Sequence, residues 1–297
     1  MSALKKSIFV FYGKFVNIKF MELENQRKKG VIAPARAKIE RGAIFAADAH
    51  FNPINRSEIL AFLDKIINGE IKTKQLFLLG DMSDLLIGGF EYLLEFNKPL
   101  IERIAAVADR GIEVYYFEGN HDFLLNEVFS NENIKIIERG DQPKLFDFCG
   151  REALILHGDR EAGIFYEIYT LILRNKILLK LLNIFLTDSV KNAIFGAVLR
   201  RQQTKKMYRK IANFTEKRSK KIEDWLKAAD IVIEGHFHQG AYFGKLGAEY
   251  KNLWAFASPS GLENGQFGEN KETQTRFIRL EYAQIGNADE ILIIEEP

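Results

Sequence analysis

Short apolar runs recur along this chain, and most of them end in a polar cluster. Ala43-Ile44-Phe45-Ala46-Ala47 is the first, and Gln75 to Leu79, Ile112 to Phe117, Ala153 to Leu156 and Ile231 to Glu234 repeat the pattern. Short apolar runs of this kind predict strands. Longer helical stretches lie between them. Asn55 or Ser57 is placed to cap a helix that runs through Ile67 and stops near Gly69, and a longer helix, about Glu91 to Arg110, ends at Gly111. Two further runs, Arg276 to Glu281 and Glu290 to Glu295, are expected to complete a sheet. Strands alternating with helices predict a layered α/β fold, whose ligand sites gather where loops leave the C-terminal ends of strands.

The gap from His157 to His236 breaks this rhythm. It holds Ile164-Phe165-Tyr166, Tyr169, Leu171-Ile172-Leu173 and then Ile177 to Leu186, where Leu178, Leu179, Leu182, Ile184 and Phe185 leave few polar positions. A helix apolar around most of its circumference cannot satisfy itself on a small cap in water. Ala193 to Leu199 adds a second apolar patch, and Arg200-Arg201, Lys205-Lys206, Arg209-Lys210, Lys217-Arg218 and Lys220-Lys221 follow. The predicted organisation is therefore an N-terminal extension over 1–41, a core over 42–159 and 228–297, and a helical, basic and apolar cap inserted at 160–227.

Charge sharpens that division. The 297 residues carry a net charge of only +2, yet between Arg160 and Lys221 there are 15 Lys/Arg against 4 Asp/Glu. The cap is built to meet anions. Hydrophobic content of 47% and charged content of 28% are those of a globular domain. One cysteine, Cys149, excludes an internal disulfide framework and fits a reducing compartment. No run of 18 uncharged apolar residues is present, and Lys14 interrupts the first apolar stretch, so neither a membrane span nor a signal peptide is expected.

The polar clusters after the strands carry the chemistry. All five histidines fall in them: Asp48-Ala49-His50, Gly119-Asn120-His121-Asp122, His157-Gly158-Asp159 and Gly235-His236-Phe237-His238, joined by Gly80-Asp81. In Asp-x-His and His-x-His the period of an extended chain points both side chains one way. Oxygen donors with imidazoles suit Mn, Fe or Zn, and the absence of cysteine argues against a structural zinc site. Asp81 has two oxygens with which to bridge two ions, Asn120 offers an amide oxygen, and His157, His236 and His238 complete two coordination spheres. His121 is left to act on substrate. Any one motif alone is more often incidental than not; five in order, each behind a strand, are not.

Order and composition resemble the calcineurin-like metallophosphoesterase superfamily, over about residues 43 to 238. The resemblance implies a four-layer β-sandwich flanked by helices. It implies one metal at Asp48, His50, Asp81 and His238, and a second at Asp81, Asn120, His157 and His236. Such a pair acidifies water and neutralises phosphoryl oxygens for in-line displacement at phosphorus. His121 would protonate the leaving oxygen or stabilise the transition state. Asp84 and Asp122 would orient imidazoles.

Within the superfamily the chain resembles the UDP-2,3-diacylglucosamine pyrophosphohydrolases of lipid A biosynthesis. The shared features are Gly80-Asp81-x-x-Asp84-Leu85-x-Ile87-Gly88, Asn120-x-Asp122-Phe123-Leu124, His157-Gly158-Asp159 and the apolar, basic insertion. It departs from them at His121, where better-known members carry Arg, and at Gln239-Gly240, where they carry Arg-Pro. The resemblance implies two divalent ions, most often Mn2+, and a lipid-linked nucleotide sugar as substrate. Leu178, Leu179, Leu182 and Phe185 would hold acyl chains, and Arg200 and Arg201 would meet phosphate. It also implies a cytoplasmic enzyme held peripherally at the anionic inner face of the inner membrane, with no nucleic-acid partner. A nuclease or soluble-nucleotide phosphodiesterase is the competing class, but Leu178 to Leu186 offers aliphatics where a strand-binding groove needs stacking aromatics. A non-catalytic scaffold should have lost ligands, and none is missing.

Overall fold

The computed structural model describes residues 36–159, 170, 172–204, 209–259, 273–275, 277–285 and 288–296. Most of the predicted extension, the aromatic run Phe165 to Tyr169, and Lys205 and Lys206 lie outside them. Strands β1 (Ala43–Ala46), β2 (Gln75–Leu78), β4 (Glu113–Phe117) and β6 (Ile134–Ile137) run parallel, and β14 (Phe277–Ile285) and β15 (Ala288–Glu296) close the other edge antiparallel, in the order β15-β14-β1-β2-β4-β6. A second sheet has the order β10-β11-β9-β8-β7, from β7 (Lys144–Phe148), β8 (Arg151–Leu156), β9 (Ile231–Glu234), β10 (Tyr242–Lys245) and β11 (Ala248–Asn252). Two short pairs, β3 (Leu86–Ile87) with β5 (Asp122–Phe123) and β12 (Ala257–Pro259) with β13 (Thr273–Thr275), complete the strands.

The period of two along each strand explains the layers. Phe45, Phe77, Tyr115 and Phe117 face Phe146, Phe148, Ala153, Ile155, Ile231 and Ile233 across the gap between the sheets. Phe45 stacks on Phe77 with ring centroids 4.4 Å apart, and Phe77 on Tyr115 at 4.7 Å. Each fully buried ring contributes roughly 1.5–3 kcal/mol of transfer energy. The alternate residues Ile44, Ala46, Leu76, Leu78, Val114 and Tyr116 face outward and are covered by helices α1 (Glu58–Ile67) and α2 (Glu91–Asp109). Ser57 stands at the N-cap of α1, but its side chain makes no capping bond.

The predicted cap divides in two. Helices α3 (Lys176–Phe185) and α4 (Asp188–Gln203) form a hairpin that docks through Leu179, Leu199 and Phe195 onto Ile87, Phe90, Leu93, Phe123 and Leu124. Helices α5 (Phe214–Lys221) and α6 (Glu223–Ala228) behave differently. Phe214, Ile222, Trp225 and Leu226 pack on Leu154, Leu156, Val232 and Tyr250, so they form the outer layer of the second sheet. The boundary drawn at 227 therefore falls inside the core, because apolar spacing marks a buried face without saying what buries it. The boundary at 41 moves as well. Ile39 is buried and its amide donates to the Asp147 carbonyl at 2.8 Å, joining 36–41 to the sandwich.

Candidate metal centre

Every chemistry-bearing motif leaves the C-terminal end of a strand, and the two sheets bring those ends to one edge. Two clusters result. Asp48, His50 and His238 form the first, Asp81, His157 and His236 the second, and within each the candidate ligand atoms lie within 4.8 Å of one another. Five of these six hold a left-handed backbone, with φ of 54° at Asp48, 46° at His50, 52° at Asp81, 66° at His236 and 55° at His238. The described residues hold nine non-glycine residues of that kind. Such conformations cost about 1–3 kcal/mol each and persist where surrounding structure enforces them. Glycine makes room beside them. A Cβ on Gly235 would stand 2.7 Å from Asp48 Oδ2, and one on Gly119 would overlap Asp81 Oδ1.

Hydrogen bonds fix which imidazole atom is presented. His157 Nδ1 lies 2.7 Å from the Leu79 carbonyl, so Nδ1 carries the proton and Nε2 turns to Asp81 Oδ2 at 3.5 Å and Asn120 Oδ1 at 3.4 Å. His121 Nδ1 likewise meets the Asp84 carbonyl at 2.8 Å, so this ring too is oriented through Nδ1. The His121 amide donates to Asp81 Oδ1 at 2.7 Å, and the His121 and His50 ring centroids are 5.0 Å apart. His50 Nδ1 sits 3.4 Å from Asp84 Oδ1. Asp122 orients loops rather than imidazoles. It accepts the amides of Asp81, Met82 and Gly119 and the Tyr116 hydroxyl at 2.7–2.9 Å. Burial, and then the nearby Asp81 charge, push the Asp122 carboxyl up to about 6.

The donor set fits divalent cations. Burial alone would raise Asp81, but the imidazoles of His157, His121 and His50 hold it well below the usual carboxylate range. Burial, followed by the His157 charge, lowers His236 to about 4, whereas His157, against its own burial, is pushed up to about 10 by the Asp81 carboxylate, so the positive charge that offsets these buried carboxylates sits on His157, where a bound cation would take its place. Asp48 Oδ2 accepts the His236 amide at 2.7 Å, whereas Oδ1 is buried without a hydrogen bond. That oxygen lies 3.2 Å from His238 Nε2.

Other predicted residues sit apart. Leu178, Leu182, Phe185, Arg200 and Arg201 are exposed on α3 and α4, while Leu179 is buried beneath them in the contact with the core. Leu179 is thus a docking residue and not part of an acyl surface. Arg218, counted above with the basic face, is buried too. Its Nε and Nη2 reach the two oxygens of Glu234 at 2.7 and 2.5 Å, and its guanidinium lies 4.8 Å from the Phe237 ring. Arg56, Glu118, Arg174 and Gln142 also support the centre without a motif to mark them. Gln142 Oε1, for example, accepts the His157 amide at 2.7 Å.

Residues 43–240 match the family model described as calcineurin-like phosphoesterase, and the chain belongs to that family. It is a phosphoesterase by class, with residues to hold divalent metal. Among curated relatives it is 30% identical over 219 residues to a UDP-2,3-diacylglucosamine hydrolase of Blochmanniella pennsylvanica, covering 71% of this chain and 84% of that protein. A protein of the same name from Aliivibrio fischeri is 32% identical over 116 residues, 39% of this chain and 47% of that one. Among solved structures, zinc-bound Vps29 of Entamoeba histolytica aligns with 13% identity and a TM-score of 0.36, covering 85% of this chain and 98% of that chain.

Proposed function

We propose that the chain hydrolyses the pyrophosphate of UDP-2,3-diacylglucosamine, giving UMP and 2,3-diacylglucosamine 1-phosphate. The observation that carries this reading is the placement of an apolar, solvent-exposed hairpin against the loops of a two-cluster phosphoesterase centre. The names of the curated relatives point to the same substrate. Divalent cations, Mn2+ in our reading, supply charge neutralisation at the phosphoryl oxygens and acidify water. Asp48, His50, Asp81 and His238 would hold one of them, and Asp81, Asn120, His157 and His236 the other. Water adds to one phosphorus as the P–O–P bond opposite breaks and releases a proton to solvent, while His121 takes up a solvent proton at Nε2 and gives it to the departing phosphate oxygen. Its Nδ1 bond to the Asp84 carbonyl holds the ring in register for that transfer.

Leu178, Leu182 and Phe185 would line the path of the acyl chains, and Arg200 and Arg201 would meet phosphate or an anionic bilayer. No helix among the described residues is long and apolar enough to cross a membrane. In this reading α3 and α4 therefore rest on the inner face of the inner membrane, where each Lys or Arg near the surface adds about 1 kcal/mol. The test is incubation with UDP-2,3-diacylglucosamine in mixed micelles with Mn2+, followed by detection of UMP. Absence of UMP, with turnover of a soluble nucleotide diester in its place, would transfer the assignment to a soluble phosphodiesterase.

A further inference from the structure

Arginine side chains brace the loops of the metal centre, and two of them, Arg56 and Arg174, meet the ends of the α3–α4 hairpin. At one end, Arg174 lies just before Asn175, whose side chain caps α3 by accepting the Leu178 amide at 2.9 Å. Arg174 Nη1 donates to the Gly119 carbonyl at 2.8 Å, its Nη2 pairs with the Glu118 carboxylate, and its guanidinium lies 4.9 Å from the Phe123 ring. Glu118 in turn accepts the Leu125 amide at 3.1 Å. Arg174 therefore grips the start of the turn that carries Asn120 and His121. At the other end, the last turn of α4 presents the Gln202 carbonyl to Arg56 Nη2 at 3.2 Å. Arg56 Nε donates to the His50 carbonyl at 3.2 Å, and Nη2 pairs with the Asp84 carboxylate whose other oxygen faces His50 Nδ1. Asn55 adds a bond to the Gln203 carbonyl at 3.3 Å.

We propose that Arg56 and Arg174 are positioning residues that tie the hairpin separately to the two clusters, Arg56 to the His50 cluster and Arg174 to the Asp81–His157–His236 cluster. Arg56 governs both the backbone and the imidazole orientation of His50. Arg174 governs Asn120, which faces His157, and the turn whose His121 amide binds Asp81. Both side chains are largely buried, 11% and 13% exposed, and each reaches a carbonyl and a carboxylate at once. A lysine ammonium has the charge but not the rigid fork that spans two acceptors. Hairpin anchoring alone would not require either arginine to bond a backbone carbonyl next to, or at, a ligand residue.

This rests on the metal reading of the two clusters and not on the lipid substrate. The experiment is an Mn2+ titration of the full chain, read by loss of the free-ion EPR signal, in two backgrounds. His157→Ala leaves the first cluster intact, and His50→Ala leaves the second. Arg56→Met should weaken binding about 10–100-fold in the first background and leave the second unchanged, the usual size of effect for residues that orient ligands. Arg174→Met should weaken binding about 10–100-fold in the second background and clearly less in the first, which it reaches only through the shared Asp81. Arg56→Lys and Arg174→Lys keep stem and charge, and should show the same crossed pattern at smaller size even if a Met variant fails to fold. Equal losses in both backgrounds, or unchanged affinities with a lowered melting temperature, would mean that the arginines only fasten the hairpin. A wild-type chain that takes no manganese overturns the metal reading itself and the proposal with it. One that takes two ions while both arginines prove silent overturns the proposal alone.

Discussion

Around Asp48, Asp81 and His157 the chain buries charge and partners almost every polar atom, whereas on α3 it leaves Ile177, Ile184 and Phe185 more than 70% exposed. Both arrangements are costly in water, and they are costly for opposite reasons. Burying carboxylates and imidazoles demands partners at defined positions, which the loops supply through backbone amides, carbonyls and strained φ values. Exposing aliphatics asks for no geometry at all, only for something apolar to cover them. The exposed residues keep helical order: Ile177, Leu181 and Ile184 share one face of α3, and Val190, Ile194 and Val198 one face of α4. In the proposed reading chemistry sits on the first of these regions and attachment on the second, and Leu179, Leu199 and the arginines join them.

The comparison breaks first at Asp81. It lies at the junction of the clusters, with one oxygen on the His121 amide and the other facing His157. Asp81→Asn should abolish turnover, a fall of at least about 10⁴-fold, with little loss of folding, because removing a charge from a group ringed by imidazoles removes the attraction for cations. Near-normal activity at normal metal content would remove the two-cation mechanism. Next comes His121→Ala. Metal content should hold while kcat falls by about 10²–10⁴, the usual yield of proton transfer. Stoichiometric loss of metal in that variant would make His121 a ligand instead.

Much of the metal centre was legible in the sequence. Apolar runs ending in Asp48, Asp81, Asn120, His157 and His236 announced strands, and these residues stand at their C-terminal ends, because a strand buried on both faces leaves an unbroken hydrophobic signature. The supports were not legible. Arg218 sits in Lys217-Arg218-Ser219-Lys220-Lys221, a run that reads as solvated, and its partner Glu234 ends an apolar strand. Arg56 and Arg174 mark no motif, since the carbonyls they bind are defined only by tertiary placement. The hairpin's apolar excess was visible, but a helix hydrophobic on several faces does not reveal which one docks. Leu178 and Leu179 look alike in sequence, and only the second is buried. The same ambiguity placed α5 and α6 with the cap, when they are a layer of the sandwich.

The exposed face of the hairpin is tested by Leu182→Ser with Phe185→Ser. Both side chains are exposed, so the double variant should fold normally. If they contact acyl chains, activity on the diacylated substrate should drop at least tenfold, since each buried CH₂ is worth about 0.8 kcal/mol. A small generic phosphodiester should be hydrolysed at the wild-type rate, because Leu182 and Phe185 are exposed on α3 and are not among the candidate ligands. Paired kinetics on one preparation decide the matter. Equal loss on both substrates would make the stretch structural, and loss on neither would leave the hairpin without a role in substrate binding.

The smallest effect separates docking from exposure within a single helix. Leu179 packs against Phe90, Leu93 and Phe123, while Ile184 on the same helix is 74% exposed. Truncating a buried leucine costs about 2–5 kcal/mol in a well-packed core, and a site at the edge of a small docking cluster should lie near the lower end of that range. An exposed aliphatic changed to alanine should stay within about 0.5 kcal/mol. Leu179→Ala should therefore loosen the hairpin, raising amide exchange across α3 and α4 by about 30-fold while leaving the sandwich strands protected. Ile184→Ala should leave exchange unchanged in aqueous buffer. In the presence of anionic vesicles the ranking should invert for binding, with Ile184→Ala the weaker binder and Leu179→Ala close to wild type while its hairpin remains folded. Matching exchange profiles for the two variants would show that α3 is held by neither face, and the division between docking and exposed surfaces would fall.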